Sequence, residues 1–326
     1  MSRIIKYGQT MVAVLMALLC WACSQDEAST TERMDAQRTM TIVAEEESWN
    51  GEDITVSLTR SGETLTGLKA CVNPASPANG EGFGLYSTYV GLTNKQVVWD
   101  NAAWNYGNKI LWPNNTVNAT DFYAYAPYDT YANTDGRTFA DETQANNAII
   151  YVNGSTLTCK TVYRNLTDLL WADRSAESDG TVKLTFKHVM GMLRFGSITN
   201  NFDKPITLKR LVIQGTRYKQ RNLNLTTGEW TNDGAVEDPT PINATRPYDI
   251  PAYGGGVVIS AGDIINIPDM ADIMQIPHET KGCTVTFVFS YNNSDISVSS
   301  GEIIIAKGKI RTINLIVGLN HEVVIQ

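Results

Sequence analysis

Histidine and cysteine are scarce in this chain, with three and five residues among 326. No His-x-x-x-His pair exists, and beyond residue 23 the cysteines stand far apart at Cys71, Cys159 and Cys283. That spacing supplies neither a zinc site nor a disulfide framework, so these three read as buried small side chains, with at most one pair able to bridge. Positive charge is also thin. Lys and Arg total 26 against 34 acidic residues, a formal charge of −8, with no basic cluster to follow a phosphate backbone, which argues against nucleic acid as a partner. No Gly-x-Ser-x-Gly elbow appears, and Gly80-Glu81-Gly82-Phe83-Gly84 lacks the Lys-Ser/Thr pair and following helix of a phosphate loop. Glu45-Glu46-Glu47 cannot act as an acid pair on a strand, where neighbours point to opposite faces, and reads as a solvated charge run. Of the histidines, His188 extends the apolar side of a strand and reads as a packing residue, while His278 and His321 fall in turns. The expectation is a protein without catalytic residues, metal or cofactor.

Helical periodicity longer than about two turns is also missing, whereas alternation with a period of two recurs. Ile54, Val56 and Leu58 oppose Thr55, Ser57 and Thr59. Val182, Leu184 and Phe186 oppose Lys183, Thr185 and Lys187. Cys283, Val285, Phe287, Phe289 and Tyr291 form another face, and Ile313, Leu315, Val317 and Leu319 a fourth. Turn formers such as Asn73-Pro74, Trp112-Pro113-Asn114-Asn115 and Asn292-Asn293 separate these runs. The pattern predicts an all-β protein of stacked antiparallel sheets.

The N-terminus has the anatomy of an export signal: Arg3 and Lys6, an apolar run from Met11 to Leu19, then small residues. Nine residues are too short to span a hydrocarbon core of about 30 Å. Leu18-Leu19-Cys20-Trp21-Ala22-Cys23 resembles a lipobox, which implies signal cleavage after Ala22 and lipid on Cys23. The following Ser24-Gln25-Asp26-Glu27 resembles an acidic surface-export tract of Bacteroidetes lipoproteins. Residues 1–22 are thus expected to be a signal peptide, with residues 23–60 a tether and N-terminal strand, ordered from about Met40. The remaining length suits two domains, 61–200 and 201–326, joined near Thr199 to Pro205 where turn formers cluster.

Three linked aromatic motifs carry a family resemblance. Trp104-Asn105-Tyr106, Leu111-Trp112-Pro113 and Asp121-Phe122-Tyr123-Ala124-Tyr125-Ala126-Pro127 look like the Trp, Trp-Pro and Phe-Tyr-Ala-Tyr-x-Pro series of the fimbrillins of Bacteroidales. Asp168-Leu169-Leu170-Trp171-Ala172, then Leu184 to His188, and a Gly-Lys-x-x-Thr-x-Asn-Leu pattern from Gly308 to Leu315 extend the likeness over nearly the whole mature chain. The resemblance implies two β-sandwich domains of transthyretin-like topology and a surface lipoprotein of the outer membrane. It also implies loss of an N-terminal strand to a protease cutting after arginine, and polymerisation with other fimbrial subunits by strand exchange, in the service of cell adhesion. Arg60 is the residue that fits that cut, with Arg33 and Arg38 competing from the tether. Ile310 to Leu319, with Val323 and Ile325, would be the donor. A second reading takes Trp99, Trp104, Tyr106, Trp112, Tyr123, Tyr125, Tyr128 and Tyr131 as exposed platforms for sugar rings, making the chain a glycan-binding lipoprotein.

Overall fold

The computed structural model describes residues 39–49, 59–60, 63–64, 68–69, 73–78, 80–87, 90–112, 122–128, 149–153, 156–160, 168–174, 180–238, 242–244, 256–266, 273–320 and 322–325. Those residues contain strands and no α-helix, as the alternation predicts. A seven-stranded sheet runs in the order β1 (Thr41–Glu46), β11 (Thr181–His188), β10 (Leu170–Arg174), β7 (Phe122–Ala126), β4 (Phe83–Ser87), β5 (Leu92–Trp99) and β6 (Trp104–Asn105). Its inner face holds Ile42, Phe83, Leu85, Phe122, Leu184 and Phe186 in one apolar cluster. A bridge between Thr39 and Leu111 brings the two ends of the sheet together, so the sheet rolls around this cluster.

The C-terminal half is a sandwich. One layer is β18 (Ile264–Asn266), β12 (Gly191–Asn200), β22 (Ile310–Val317) and β23 (Glu322–Ile325), with β19 (Ile273–Gln275) also on β12. The facing layer is β16 (Ile242–Ala244), β13 (Ile206–Gly215), β20 (Cys283–Tyr291) and β21 (Ser294–Ser299), with β17 (Val257–Ile259) also on β13. Leu193, Ile198, Ile313 and Leu315 from the first layer meet Ile206, Leu211, Phe287 and Phe289 from the second. Asn292 and Asn293 both sit at positive φ, 49° and 62°, which is the twist a two-residue hairpin needs between β20 and β21. A four-stranded sheet, β15 (Glu229–Asp238), β14 (Arg217–Asn224), β9 (Thr156–Lys160) and β8 (Ile149–Asn153), draws strands from both halves of the chain. Its Leu157, Leu223 and Trp230 pack with Tyr125 and Trp171 from the outer side of the rolled sheet and with Met192 and Ile310 of the sandwich. A short hairpin pairs β2 (Thr59–Arg60) with β3 (Glu63–Thr64).

Three expectations meet a different arrangement. Two ladders are parallel rather than antiparallel, β1 with β11 and β12 with β22. Each joins strands far apart in sequence, a separation that lets the chain return to the same end before pairing, as parallel strands require. Of residues 199–205, read as the interdomain joint, Thr199 and Asn200 end β12 and the rest form the turn into β13, and both strands feed the same core. Buried Asn200 fixes that turn by donating from Nδ2 to the carbonyls of Lys204, Ile259 and Ser260, each at 3.0 Å. The change of core comes earlier, where Val189 and Met190 pack in the middle cluster and Leu193 in the sandwich. Finally, Leu319 does not continue the buried face of β22: the strand stops at Val317, and Leu319 is 93% exposed. Ile54, Val56 and Leu58 lie outside the described residues.

Candidate functional site

Strand β1 ends the seven-stranded sheet and lies upstream of Arg60 in sequence. Alternation decides how it sits. Met40, Ile42 and Ala44 are buried while Thr41, Val43 and Glu45 face out, so one side of a single strand plugs the rolled sheet. Six residues pair in parallel with β11, from Thr41 opposite Thr181 to Glu46 opposite Phe186. Further backbone bonds extend the seating at both ends. Met40 N–H donates to Ile110 O at 2.9 Å, Thr41 N–H to Gly180 O at 2.9 Å, and Glu47 N–H to Phe186 O at 2.8 Å. The Tyr106 hydroxyl donates to Met40 O across the groove. The strand is therefore held between β11 and residues 110–111.

Past the end of β1 the chain turns inward and buries Trp49 to 1% exposure. Its ring stacks on His188 with centroids 4.2 Å apart. His188 Nδ1 lies 2.7 Å from Asp168 Oδ2, and its Nε2 lies 3.9 Å from Glu46 Oε1. Burial raises the Asp168 carboxyl, against the lowering effect of His188. Burial likewise raises Glu46, again opposed by His188. Asp168 Oδ1 is shut away from solvent. These three residues are the group among the described residues close enough to hold a metal ion. However, the imidazole nitrogen nearest Asp168 is already engaged by it, and the arrangement is that of a hydrogen-bonded side-chain cluster. The packing role read for His188 thus comes with a polar one. Glu46 is in phase with Met40, Ile42 and Ala44, so alternation sets it apart from Glu45 and Glu47, but not the partner it faces.

Arg60 stands in β2, opposite Glu63 of β3, downstream of the plug strand in the sequence. Ala22, Cys23, Arg33, Arg38, Cys71, Tyr131 and His321 lie outside the described residues. At the other end of the chain, β22 is an interior strand between β12 and β23, with Ile310, Ile313, Leu315 and Val317 buried in its own subunit. Only β23 lies at an edge, with Val323 partly packed on the core. Cys283 is a buried free thiol.

The aromatic series faces inward. Trp104, Tyr106, Trp112 and Tyr125 are buried, and Trp104 and Trp112 pack edge-on to Phe83 and stacked on Phe122 respectively. Trp99, Tyr123 and Tyr128 are half-buried. A set of exposed stacking platforms is not what these residues build.

Sequence reasoning also missed a polar knot between the middle sheet and the sandwich. Arg221 is buried, donates to Pro277 O at 2.8 Å and to Glu279 at 3.0 Å, and lies 4.6 Å over Tyr218. His278 stacks on the same tyrosine at 4.6 Å, and its Nδ1 accepts from Lys281 N–H at 3.1 Å. Alternation with Leu223 and Leu225 puts Arg221 on the inward side of β14, the one signal that could have found it.

A family model described as fimbrillin-like matches residues 41–326, from the first residue of the plug strand to the end. The chain belongs to the fimbrillin-like family. Among solved structures, this fimbrillin-like chain is similar to a fimbrial protein from Bacteroides vulgatus at 17% identity and a TM-score of 0.54, covering 89% of this chain and 98% of that one. A fimbrial protein from Bacteroides ovatus matches at 15% identity and a TM-score of 0.34, over 85% of this chain and 48% of that one. The first likeness establishes a shared fold. No curated protein matches the sequence.

Proposed function

We propose that this fimbrillin-like protein is a subunit of a surface fimbria serving adhesion, carried outward on a lipid at Cys23 after signal cleavage at Ala22. It polymerises with other fimbrial subunits once the bond after Arg60 is cut. One observation carries this reading: a cut after Arg60 frees a strand that is paired along its length and plugs an apolar groove, not a loose tail. Loss of β1 uncovers the edge of β11 and the places of Met40, Ile42 and Ala44. Exposed N–H and C=O groups in a row, above an apolar trough, form a template for a strand from a neighbouring subunit. The alternation of buried and exposed positions sets that strand's register, because a one-residue slip points every side chain the wrong way. Cuts after Arg33 or Arg38 would leave β1 in place. On the donating side, β23 can leave at little cost to its own subunit, whereas withdrawing β22 would empty Ile313, Leu315 and Val317 from the sandwich.

The test is N-terminal sequencing of protein sheared from cells, alongside an Arg60→Ala variant. A start at Ser61, with loss of ladders on unboiled gels for Arg60→Ala, is the expected result. Ladders that persist in that variant defeat the proposal. The glycan-binding reading would be supported by retention on a polysaccharide gel that Trp104→Ala abolishes without unfolding, an outcome the burial of Trp104 disfavours.

A further inference from the structure

The segment upstream of Arg60 is tied to the body by side chains as well as by its ladder. Glu46 and Trp49 belong to that segment, and Asp168 and His188 to the part of the chain that stays. Trp49 lies on the imidazole at 4.2 Å, Asp168 holds Nδ1 at 2.7 Å, and Glu46 stands 3.9 Å from Nε2. The ionisable groups that face one another here are Glu46 from β1, Asp168 from the approach to β10, and His188 from the end of β11. Their neighbours Glu45, Glu47 and Lys187 are exposed, and Glu45 pairs instead with the Thr185 hydroxyl at 3.4 Å.

Two carboxylates and one imidazole do not balance. With both carboxylates ionised the group is net negative even when the imidazole holds its second proton, and Asp168 and His188 are largely shut off from water while Glu46 is a third exposed. Seating the segment should therefore draw a proton from solvent. We infer that Glu46, Trp49, Asp168 and His188 form a proton-operated clasp on the segment that maturation removes, tight in mild acid and looser as the pH rises. The inference rests on the reading that this segment leaves. The upward shifts of both carboxyls agree in sign. A carboxyl raised on seating contributes fully below its free value, and that contribution is lost as the pH climbs past the raised value. Cutting the peptide bond and losing the segment thereby become separate events, the second responsive to pH.

The test uses the full mature chain with a recognition sequence for a site-specific protease inserted after Arg60, so that the cut does not depend on the natural processing site. Release of the upstream fragment is then followed by gel filtration and intact mass at about pH 5.5 and about pH 8. Release at least about tenfold slower at the lower pH is expected, which corresponds to an average uptake of about 0.4 proton or more across that range. Asp168→Asn, which keeps the shape and a hydrogen-bonding side chain but carries no charge, should flatten the ratio. Glu46→Gln removes surplus charge from the leaving piece at a position outside the core, and should slow release at about pH 8. Equal wild-type rates at both pH values overturn the clasp alone, as does an unchanged ratio in Asp168→Asn or faster release in Glu46→Gln. A fragment that stays bound indefinitely at both values overturns the subunit reading, and the clasp with it.

Discussion

If β1 is a plug seated in one register, truncating a buried side chain should cost several times more than truncating its exposed neighbour. Ile42 is 6% exposed and lies opposite Val182, itself fully buried, whereas Val43 is 48% exposed on the other side of the strand. An Ile→Ala change in a packed site costs about 2–5 kcal/mol, the spread reflecting how far the site collapses. One wall of this groove is backbone held by the Met40 and Thr41 hydrogen bonds, which limits collapse, so a value of about 3 kcal/mol is expected for Ile42→Ala. Val43→Ala should stay within about 1 kcal/mol, the range of strand preference at a solvent-facing position. The assay is urea unfolding of the uncut chain. At a slope of about 2 kcal/mol/M, Ile42→Ala moves the midpoint down by about 1.5 M and Val43→Ala by under about 0.5 M. Equal costs for Ile42→Ala and Val43→Ala would refute the seating described for β1.

Two further changes report on other parts of the molecule. Burial pushes the Cys283 thiol up to about 11, so it should resist alkylation at about pH 8 in the native chain and react at once in denaturant; labelling of the folded protein at Cys283, read by peptide mass, would contradict the buried face of β20. Gly228 has φ +69°, and an added Cβ would lie 2.4 Å from the ring of Trp171, whose Nε1 donates to Leu225 O at 2.6 Å. Gly228→Ala therefore combines left-handed strain of about 1–2 kcal/mol with overpacking of about 1–3 kcal/mol, and should lower the melting temperature by several degrees in calorimetry.

What could be read in advance follows from the range of the interactions involved. Alternation is a local property, and the strands it marked hold up where described: Val182, Leu184 and Phe186 are buried with Lys183 and Lys187 exposed, and Cys283 to Phe289 line the sandwich. Turn chemistry is local too, as Asn292-Asn293 shows. Pairing is not. Nothing between residues 41 and 46 says that the partner is residues 181–186, or that the ladder is parallel, because the matching surface is assembled only when the sheet rolls. Exposure of aromatics is equally non-local. Trp104 and Trp112 look alike as core residues or as sugar platforms until Phe83 and Phe122 are seen against them.

The candidate site shows the same division more sharply. Arg60 was visible as a basic residue beside small ones, but its meaning depends on what a cut there would detach. That is decided by Ile42 and Ala44 alternating into the groove and by Trp49 stacking on His188. A strand that fills a trough in its own subunit has the pattern a replacement from a neighbour must copy, since the trough selects for spacing and not for covalent origin. The match need not be equal in strength. The clasp residues Glu46 and Trp49 belong to the resident strand, and β23, with Val323 and Ile325 alternating and Glu322 ahead of them, has no tryptophan to offer. Ladder hydrogen bonds and alternate apolar contacts can be reproduced by an incoming strand; the stack on His188 cannot be reproduced by β23. If subunits exchange strands as proposed, the resident strand has one more hold on the body than its replacement, and exchange should run forward only when the cut has freed that strand and the clasp has been loosened.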